Sequence, residues 1–432
     1  MPDLTHIPGP RALPVIGQTL PFLRDPYGTY FRNRDSYGEV FRLPVFGQTW
    51  VVLAGPDALE EVLMNRDGIY SAQQGLRAFA PFFSGGLLHR DDADHRSHRR
   101  TMQAAFRADV MRGYLEQMNF ETARILPTWP TGRKTRFAPR AKALTLEFAA
   151  RVFMGLTDPA QIARFNTLFI REVRGTAGIL RLNLPFLPYG RGIRARAALS
   201  ETFQQLITAR RAAPGEDFFS QLCIAQDEDG KAWSDKDIAD HFNFLLIAAH
   251  DAVTGTLTVM ADALAQDQSL QHALRAEIAN LPPGPLQYDD LGSLPLIENT
   301  MNEALRIHAP SAFTARRATA ETAWKGTRIP AGTDLVIAPG PVMMDPALWP
   351  DPNAFTPARF TAPPPHKFAF APFGGGAHKC IGMHFSGMQI KTVMTHLLRR
   401  YRITSAGKDH PKWRQIPTPV PTNGLPVTLT PL

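Results

Sequence analysis

Cysteine is scarce in this sequence, with only two among 432 residues. Two cysteines cannot build a disulfide framework, and such sparing use fits a reducing compartment, so we expect a cytoplasmic protein. An uninterrupted apolar segment is missing as well: the longest one, near residues 244–249, is broken at once by His250 and Asp251. Because a membrane-spanning helix needs about 18 or more apolar residues, we predict a soluble chain.

Linker signals are missing too. No Ser/Gly tract, long charge block or internal repeat divides the chain, and its Pro-rich pieces are short. Length alone would suggest about three domains. Without linkers we predict one domain over residues 1–432, with β structure in the N-terminal part to about residue 70 and a helical body from about residue 90. The N-terminus has neither the basic start nor the apolar core of a signal peptide, and we expect no membrane anchor.

The charge pattern argues against nucleic acid as a partner. The formal net charge is +8, but the basic residues form no long tract and no nucleic-acid-binding motif occurs. The excess of positive charge either keeps the chain soluble or steers an acidic partner toward it.

Hydrophobic periodicity predicts a mainly α-helical protein in which the small amount of β structure is local. The longest predicted helix follows Ser234, a good N-cap, and runs to about Ala265. A helix of about thirty residues is ~45 Å long and crosses a whole domain of this size. Other helices are predicted over residues 93–106, 110–125, 141–153, 159–173, 191–212, 296–309 and 382–399, and short strands on either side of Gly47 and near 313–317 and 335–338.

The stretch FGGGAHKCIG places Cys380 behind three consecutive glycines. It does not fit a phosphate-binding loop, because neither the GxxxxGK[ST] nor the GxGxxG spacing is present. For zinc it offers His378, Cys380 and His384, but a structural zinc site needs four ligands and no second pair is near. A buried cysteine packed as a small apolar residue leaves the glycines unexplained.

A thiolate ligand to haem iron accounts for each feature of this stretch. The glycines remove side chains that would keep a flat macrocycle away from the backbone. A helix that starts near Gly382 points its free N–H groups at the sulfur and favours the thiolate, while Phe373 covers the sulfur. A thiolate pushes electron density onto iron and favours O–O cleavage.

This stretch resembles the haem-binding loop of the cytochromes P450, whose pattern is Phe-x-x-Gly-x-x-x-Cys-x-Gly. Phe373, Gly376, Cys380 and Gly382 fill its fixed positions, and the likeness extends from about residue 8 to residue 429. The resemblance implies the cytochrome P450 fold, mainly α with small β-sheets and a long central helix over the haem. It also implies a b-type haem ligated by Cys380 and a monooxygenase that uses O2.

Further segments match the family in the same order. Glu303 and Arg306 form its Glu-x-x-Arg pair, and the segment FTPARF supplies Arg359. By resemblance, these three residues form a buried charge network that supports the haem loop, which is a structural role.

The resemblance also implies ligands for the haem propionates. His95 and Arg99 lie four residues apart on one helix face, and His378 and Arg316 occupy the other matching positions, with Arg317 as an alternative to Arg316. Propionates are anions, which suits bidentate arginine. For His95 and Arg99 alone, a solvated helix face is the alternative.

The long helix departs from the family at one position. In AAHDAVTG, Ala252 stands where the family usually has a threonine that helps to deliver protons during oxygen activation, beside the acidic Asp251. A methyl group forms no hydrogen bond. Thr254 lies roughly 200° around the helix and faces away, whereas Thr256 lies one turn on. We therefore expect the catalytic positions to be Asp251, Ala252 and Thr256.

Three explanations of Ala252 stay open. A hydroxyl of the substrate takes the role of the threonine, which we favour slightly, or ordered water held by Asp251 and Thr256 suffices. Otherwise the protein does not insert oxygen from O2, and is a peroxygenase, an isomerase, a coupling enzyme or a non-catalytic haem sensor or carrier. Peroxide-using members tend to carry an arginine in this region, and HDAV has none.

The substrate pocket is predicted from position in the chain. Any one of its candidate wall residues could equally be core, but together they favour an apolar terpenoid, steroid or fatty compound. These residues are Phe79, Phe82, Phe83, Phe244, Ala248, Ala312 and Phe313.

Electrons must come from another protein, because no flavin domain or iron–sulfur ligand set is present. We expect a ferredoxin and a ferredoxin reductase with NAD(P)H, and a monomeric chain. Basic side chains expected on the thiolate side would dock an acidic ferredoxin, with ordinary surface charge as the alternative; they are Arg96, Arg100, Arg107 and Lys379.

Overall fold

The computed structural model describes residues 2–11, 17–178, 180–227, 229–407 and 411–432. Helix dominates. The helices are α1 (Thr19–Arg24), α2 (Pro26–Tyr37), α3 (Pro56–Met64), α4 (Ala72–Gly75), α5 (Ala80–Phe83), α6 (Asp92–Gln103), α7 (Ala108–Ile125), α8 (Phe137–Phe148), α9 (Pro159–Thr176), α10 (Pro188–Ala212), α11 (Phe218–Ile224), α12 (Asp235–Gln266), α13 (Gln268–Ala279), α14 (Pro295–Ile307), α15 (Pro339–Met343) and α16 (Met383–Arg400).

The strands are short and fall into four small sheets within the described ranges. They are β1 (Val40–Val45), β2 (Gln48–Leu53), β3 (Tyr70–Ser71), β4 (Lys134–Arg136), β5 (Thr314–Ala318), β6 (Thr322–Trp324), β7 (Thr327–Ile329), β8 (Asp334–Ile337), β9 (Tyr401–Ser405), β10 (Trp413–Arg414), β11 (Val420–Pro421) and β12 (Pro426–Pro431).

Helix α12 is the axis of the helical body. It begins as the sequence predicts, because the side chain of Ser234 accepts a hydrogen bond from the main-chain N–H of Asp237, and it continues for 32 residues. Helices α8, α10, α14 and α16 pack against it, and α9 packs along α10. The four-sided packing explains why apolar residues occur on nearly every face of α12 rather than on one stripe.

The largest sheet joins distant parts of the chain. Strands β1 and β2 form the expected hairpin, and the two residues between them, Phe46 and Gly47, both have positive φ, as a tight hairpin turn requires. Strand β2 then pairs in parallel with β8, which pairs with β5, and β5 pairs with β3. The expectation that the β structure is local is therefore wrong.

Helix α12 has the length and composition to cross a membrane and is the single such helix among the described residues. However, 67% of its most apolar window is buried inside the structure. This is the pattern of a core helix.

Candidate functional site

The loop before α16 holds Cys380. The main-chain N–H of Cys380 donates to the carbonyl of Phe373 at 2.9 Å, which closes the loop behind the cysteine. The Cys380 side chain is accessible. Nevertheless, burial raises the pKa of the thiol, while the N–H of Gly382 and the positive charges of Arg99 and Lys379 oppose that rise. The thiol is thus accessible, while the protein around it disfavours the thiolate except through Gly382, Arg99 and Lys379.

The glycines of this loop are suited to their positions for different structural reasons. Gly374 and Gly376 have φ of +68° and +61°, which disfavours residues with a Cβ. A Cβ on Gly376 would also lie 2.0 Å from the carbonyl oxygen of Leu63. Gly382 has an ordinary φ of −88°, and a Cβ there would meet no atom within 4 Å. Open space lies in front of both Gly374 and Gly382. Of the two, Gly382 has the ordinary φ, so its lack of a side chain fits a flat ligand that lies against the backbone there rather than a need for a special φ.

A cluster of histidine, arginine and aspartate side chains lies beside the loop. The rings of His95 and His378 are 4.0 Å apart between centroids, and burial, the largest cause, lowers the pKa of His95 to about 4. Asp91 is the acidic member, 3.5 Å from Nε2 of His378. Burial alone would raise the pKa of Asp91, but hydrogen bonds from His378, Ser71 and the main chain of Ala72 lower it to about 2.

Arg316 is buried without a carboxylate. The residue is 5% exposed, and within the described ranges its guanidinium donates to the hydroxyl of Thr314 and the carbonyl of Ala315. Burial lowers its pKa to about 10. The alternative residue, Arg317, is already paired with Asp334 at 3.0 Å.

Arg99 completes the cluster from helix α6, within electrostatic reach of Cys380. Among the described residues, neither the half-buried Arg99 nor the buried Arg316 has a carboxylate within ion-pair distance, and an unpaired arginine removed from water is costly unless an anion binds it. Two arginines and two histidines beside an accessible thiol fit a haem, because its propionates supply the missing anions. We had not identified Asp91 from the sequence, since nothing in its local pattern shows that it faces His378.

Glu303 and Arg306 form a fully buried pair on α14. Arg306 donates to both carboxylate oxygens of Glu303 at 2.7 and 2.9 Å, and both side chains are 0% exposed. Nε of Arg359 lies 3.4 Å from the same carboxylate, which also accepts from the N–H of Thr356. The three residues singled out from the sequence thus converge, and they join α14 to the segment that precedes the cysteine loop.

The middle of α12 has one accessible face. Ala248 is exposed and Phe244, Ala249 and Ala252 are half-buried, although α12 is otherwise a core helix. The hydroxyl of Thr256 donates to the main-chain carbonyl of Ala252 at 3.0 Å. Small side chains and this exposure leave room beside α12 for a ligand.

Asp251 points toward helix α8 and is paired there with Lys142, whose Nζ lies 3.1 Å from Oδ1. Behind it, Thr145 hydrogen-bonds to both Nδ1 of His250 and the hydroxyl of Thr254, so Thr254 does face away from Ala252. Burial lowers the pKa of His250 to about 4. The role of Lys142 was missed because it lies 109 residues before its partner.

The predicted pocket residues divide into two groups. The rings of Phe79 and Phe83, and of Phe83 and Phe244, have centroids 6.0 Å apart, so these three form one apolar wall. Phe82 is instead fully buried against Tyr189.

The two candidates after α14 lie in other surroundings. Ala312 is 4% exposed, and a Cβ added to Gly340 would lie 2.8 Å from the Cβ of Ala312. Phe313 packs edge-on against Phe22 with centroids 5.1 Å apart.

A groove of about 720 Å³ runs along the outer side of the cysteine loop. Lys367, Lys379 and Lys391 line it together with the main chain of the loop glycines; of these, Lys391 is paired with Glu298. Arg96, Arg100 and Arg107 are exposed on or just after α6, and Arg107 lies 3.3 Å from Asp109.

Comparison with known proteins gives a consistent result. A family model described as cytochrome P450 matches residues 7–425. The chain is 37% identical to cytochrome P450 136 of Mycobacterium tuberculosis, over 99% of this chain and 89% of the relative. It is 25% identical to a beta-amyrin 28-monooxygenase of Saponaria officinalis, over 98% and 91%. The structure matches retinoic acid bound cyanobacterial CYP120A1 with a TM-score of 0.88 and 27% identity, covering 98% of this chain and 99% of the other.

Proposed function

The chain belongs to the cytochrome P450 family and is an oxidoreductase of the monooxygenase type, and we propose that it hydroxylates an apolar small molecule, foremost a terpenoid. The observation that carries this proposal is the accessible thiol of Cys380 beside Arg99 and Arg316, neither of which has a carboxylate within ion-pair distance among the described residues. The apolar wall of Phe79, Phe83 and Phe244 selects the substrate class.

Two relatives support a terpenoid over other apolar compounds. One is named for beta-amyrin and the other was solved with retinoic acid, and both compounds are built from isoprene units. The exposed Ala248 and the half-buried Ala249 and Ala252 leave space for such a rigid, bulky molecule. Steroids share its size and polarity, and fatty compounds are the third class that the pocket residues favour.

The residues present fit a b-type haem. Cys380 would ligate the iron, and Arg99, Arg316, His95 and His378 would bind the propionates. The bound haem supplies oxygen activation, since a thiolate ligand pushes electron density onto iron and favours O–O cleavage. Phe373 and the loop carbonyls limit access of water to the sulfur. The Glu303–Arg306–Arg359 network holds the loop in place.

Proton delivery in this chain does not rely on a threonine at position 252. We propose that a hydroxyl of the substrate, or water held between Thr256 and Asp251, supplies the missing hydrogen bond. Lys142 positions Asp251 through the 3.1 Å ion pair. Ala252 also leaves a peroxygenase, isomerase or coupling activity as the second candidate, because a methyl group cannot orient water.

Electrons reach the haem from a ferredoxin, which a ferredoxin reductase recharges with NAD(P)H. The groove behind the cysteine loop, with its lysines and the nearby arginines of α6, suits an acidic partner. We propose that the chain acts as a monomer in the cytoplasm.

Titration of the purified haem protein with beta-amyrin, retinoic acid, a steroid and a fatty acid tests the substrate class. A shift from low-spin to high-spin iron with the terpenoids, followed by NAD(P)H consumption that matches a hydroxylated product in a reconstituted ferredoxin system, is the expected result. A shift with fatty acids alone would overturn the terpenoid assignment. Binding without product, with every redox partner tried, would overturn the monooxygenase role of this member.

A further inference from the structure

A second pocket, of about 540 Å³, lies along the segment that runs from α4 to α6. A space of this size takes a small molecule or one end of a larger one. Polar and charged side chains form most of its lining, in contrast to the phenylalanines of the apolar wall; they are Gln73, Gln74, Arg77, Ser84, His89 and Arg317.

His89 brings to this pocket a buried nitrogen atom that lacks a partner. The residue is 5% exposed, and its Nε2 forms no hydrogen bond with any of the described residues. Burial, the largest cause, lowers the pKa of His89, so the ring is neutral at neutral pH and has one N–H to donate. A buried polar atom without a partner is costly, and a polar group of a ligand in the pocket would supply the partner.

Two arginines of the pocket share one carboxylate. Arg77 donates to both oxygens of Asp334 at 2.7 Å, and Arg317 donates to Oδ1 of the same residue at 3.0 Å. In the part of the chain that the structure describes, neither arginine has a second carboxylate within ion-pair distance. Two positive charges and one negative charge leave one positive charge over, which favours an anion in the pocket.

This charge is separate from the cluster that fits the haem propionates. Successive side chains of a strand point to opposite faces, so Arg317 lies on the other face of β5 from Arg316. Its partner Asp334 is its neighbour across the ladder on β8. Within the described ranges, none of the four predicted propionate ligands lines the pocket. The propionates therefore do not account for the positive charge of the pocket.

The pocket adjoins the apolar wall. The ring of His89 lies 6.4 Å from the ring of Phe83 between centroids, and Phe83 neighbours both Phe79 and Phe244. Ala80, on the same short helix as Phe83, lines the pocket. A ligand whose body packs against the phenylalanines would therefore place one end beside His89.

We propose that this pocket is a subsite for a carboxylate of the substrate, which makes the substrate an apolar acid. Arg77 and Arg317 offer the excess positive charge, and His89 donates its unused N–H to a carboxylate oxygen. A neutral hydroxyl would use the hydrogen bond of His89 but would leave the positive charge without a partner. The subsite rests on the proposed function, because it assigns one end of the substrate that the phenylalanines hold.

Titration of the haem-loaded full chain with retinoic acid and with lauric acid, each against its own methyl ester, tests the proposal. At about pH 8 both acids are ionised, whereas the ester keeps the apolar body and has no charge. The dissociation constants are measured from the low-spin to high-spin shift and, independently, by equilibrium dialysis. At least one acid should bind about tenfold or more tightly than its ester.

Two variants locate the preference for the acid. Arg77→Gln removes the excess positive charge and keeps the pair of Arg317 and Asp334, so the ratio of the two dissociation constants should fall by about fivefold or more. His89→Phe keeps a ring without the N–H and should lower the ratio by about threefold. The matched control is Arg112→Gln on α7, whose side chain is 49% exposed and bidentate to Asp289, against 44% for Arg77; it should keep the wild-type ratio.

The outcomes separate the subsite from the proposed function. Esters that bind as tightly as the acids, no binding of either acid, or a preference that Arg77→Gln leaves unchanged would overturn the subsite, while the monooxygenase assignment would stand. An acid preference that falls in Arg77→Gln supports the subsite even where the bound acid gives no hydroxylated product in the reconstituted ferredoxin system. That last result would count against hydroxylation alone.

Discussion

The hydroxyl of Thr256 donates a hydrogen bond to the main-chain carbonyl oxygen of Ala252, one helical turn earlier, at 3.0 Å. Thr254 and Thr258 donate to backbone carbonyls in the same way, and Thr254 is also held by Thr145 on α8. Thr256 differs because its acceptor, Ala252, lies on the accessible face of α12. The proton of the Thr256 hydroxyl is therefore committed to the helix backbone, as it often is for threonine, and the oxygen keeps its lone pairs as acceptors.

Replacing Ala252 with threonine adds a hydroxyl to the accessible face of α12. We expect Ala252→Thr to change the ratio of hydroxylated product to NAD(P)H consumed by about twofold or more, because positioned proton donors control productive oxygen use. Product and cofactor are measured in the same reconstituted assay. Ala263→Thr, half-buried near the end of the same helix, is the control and should leave the ratio unchanged. An unaltered ratio in Ala252→Thr would show that protons do not pass this position.

The buried pair of Glu303 and Arg306 should carry a large part of the stability of the haem loop. Glu303→Gln leaves Arg306 and Arg359 without a countercharge, and we expect a loss of about 3–5 kcal/mol in the free energy of unfolding, together with weaker haem retention. Denaturant unfolding and haem content measure both. Glu321→Gln, which breaks the exposed pair with Arg328, should change neither. A Glu303→Gln protein with wild-type stability would rule out a supporting role for the network.

Glu172 on α9 should make stability depend on pH near neutrality. It is 0% exposed, accepts from Nδ2 of Asn243 at 2.7 Å, and burial raises its pKa from 4.5 to about 7. Since the folded state holds its proton more tightly than the unfolded state, its contribution is full below 4.5 and is lost as the pH rises to about 7.

The variant Glu172→Gln removes this titration. The free energy of unfolding of Glu172→Gln minus that of wild type should therefore grow between about pH 5 and pH 7, by about 1.4 kcal/mol per pH unit at most, and then level off. Reversible denaturant unfolding at a series of pH values measures it. A difference that stays constant over that range would contradict a buried, protonated carboxyl.

Charge reversal near the cysteine loop tests the docking of ferredoxin. Arg96→Glu/Arg107→Glu should raise the ferredoxin concentration needed for half-maximal turnover by about fivefold or more at low salt, and less at high salt. The rate with a chemical reductant should not change. Arg328→Glu on β7 is the control for a general loss of positive charge. Equal responses of both variants would mean that ferredoxin does not use this face.

The sequence alone was sufficient for features that depend on local pattern. Ser234 predicts the start of α12. That Glu303, Arg306 and Arg359 meet was implied by the family resemblance and not by local pattern, and the structure brings the three together. The hairpin at Gly47 was predicted from local pattern, because a turn glycine between two strand-forming segments is visible in neighbouring residues.

Long-range relationships were not predictable. The parallel pairing of β2 with β8 joins residues far apart in the chain, and no periodicity in either strand specifies the partner. Helices α11 and α13 were missed because one is only seven residues long and the other follows α12 across a single residue, Asp267. Which candidate residues line the pocket was not predictable for the same reason. Phe82 and Phe83 are adjacent in the sequence, yet only packing decides which of the two rings belongs to the core.

The ferrous–CO absorption spectrum of wild type and Cys380→Ser tests the central claim most directly. We predict a thiolate-type band for the wild type and for Cys223→Ser, a control at the other, buried cysteine, and loss of that band in Cys380→Ser with haem still bound. A thiolate-type band that persists in Cys380→Ser would contradict the assignment of Cys380 as the haem ligand.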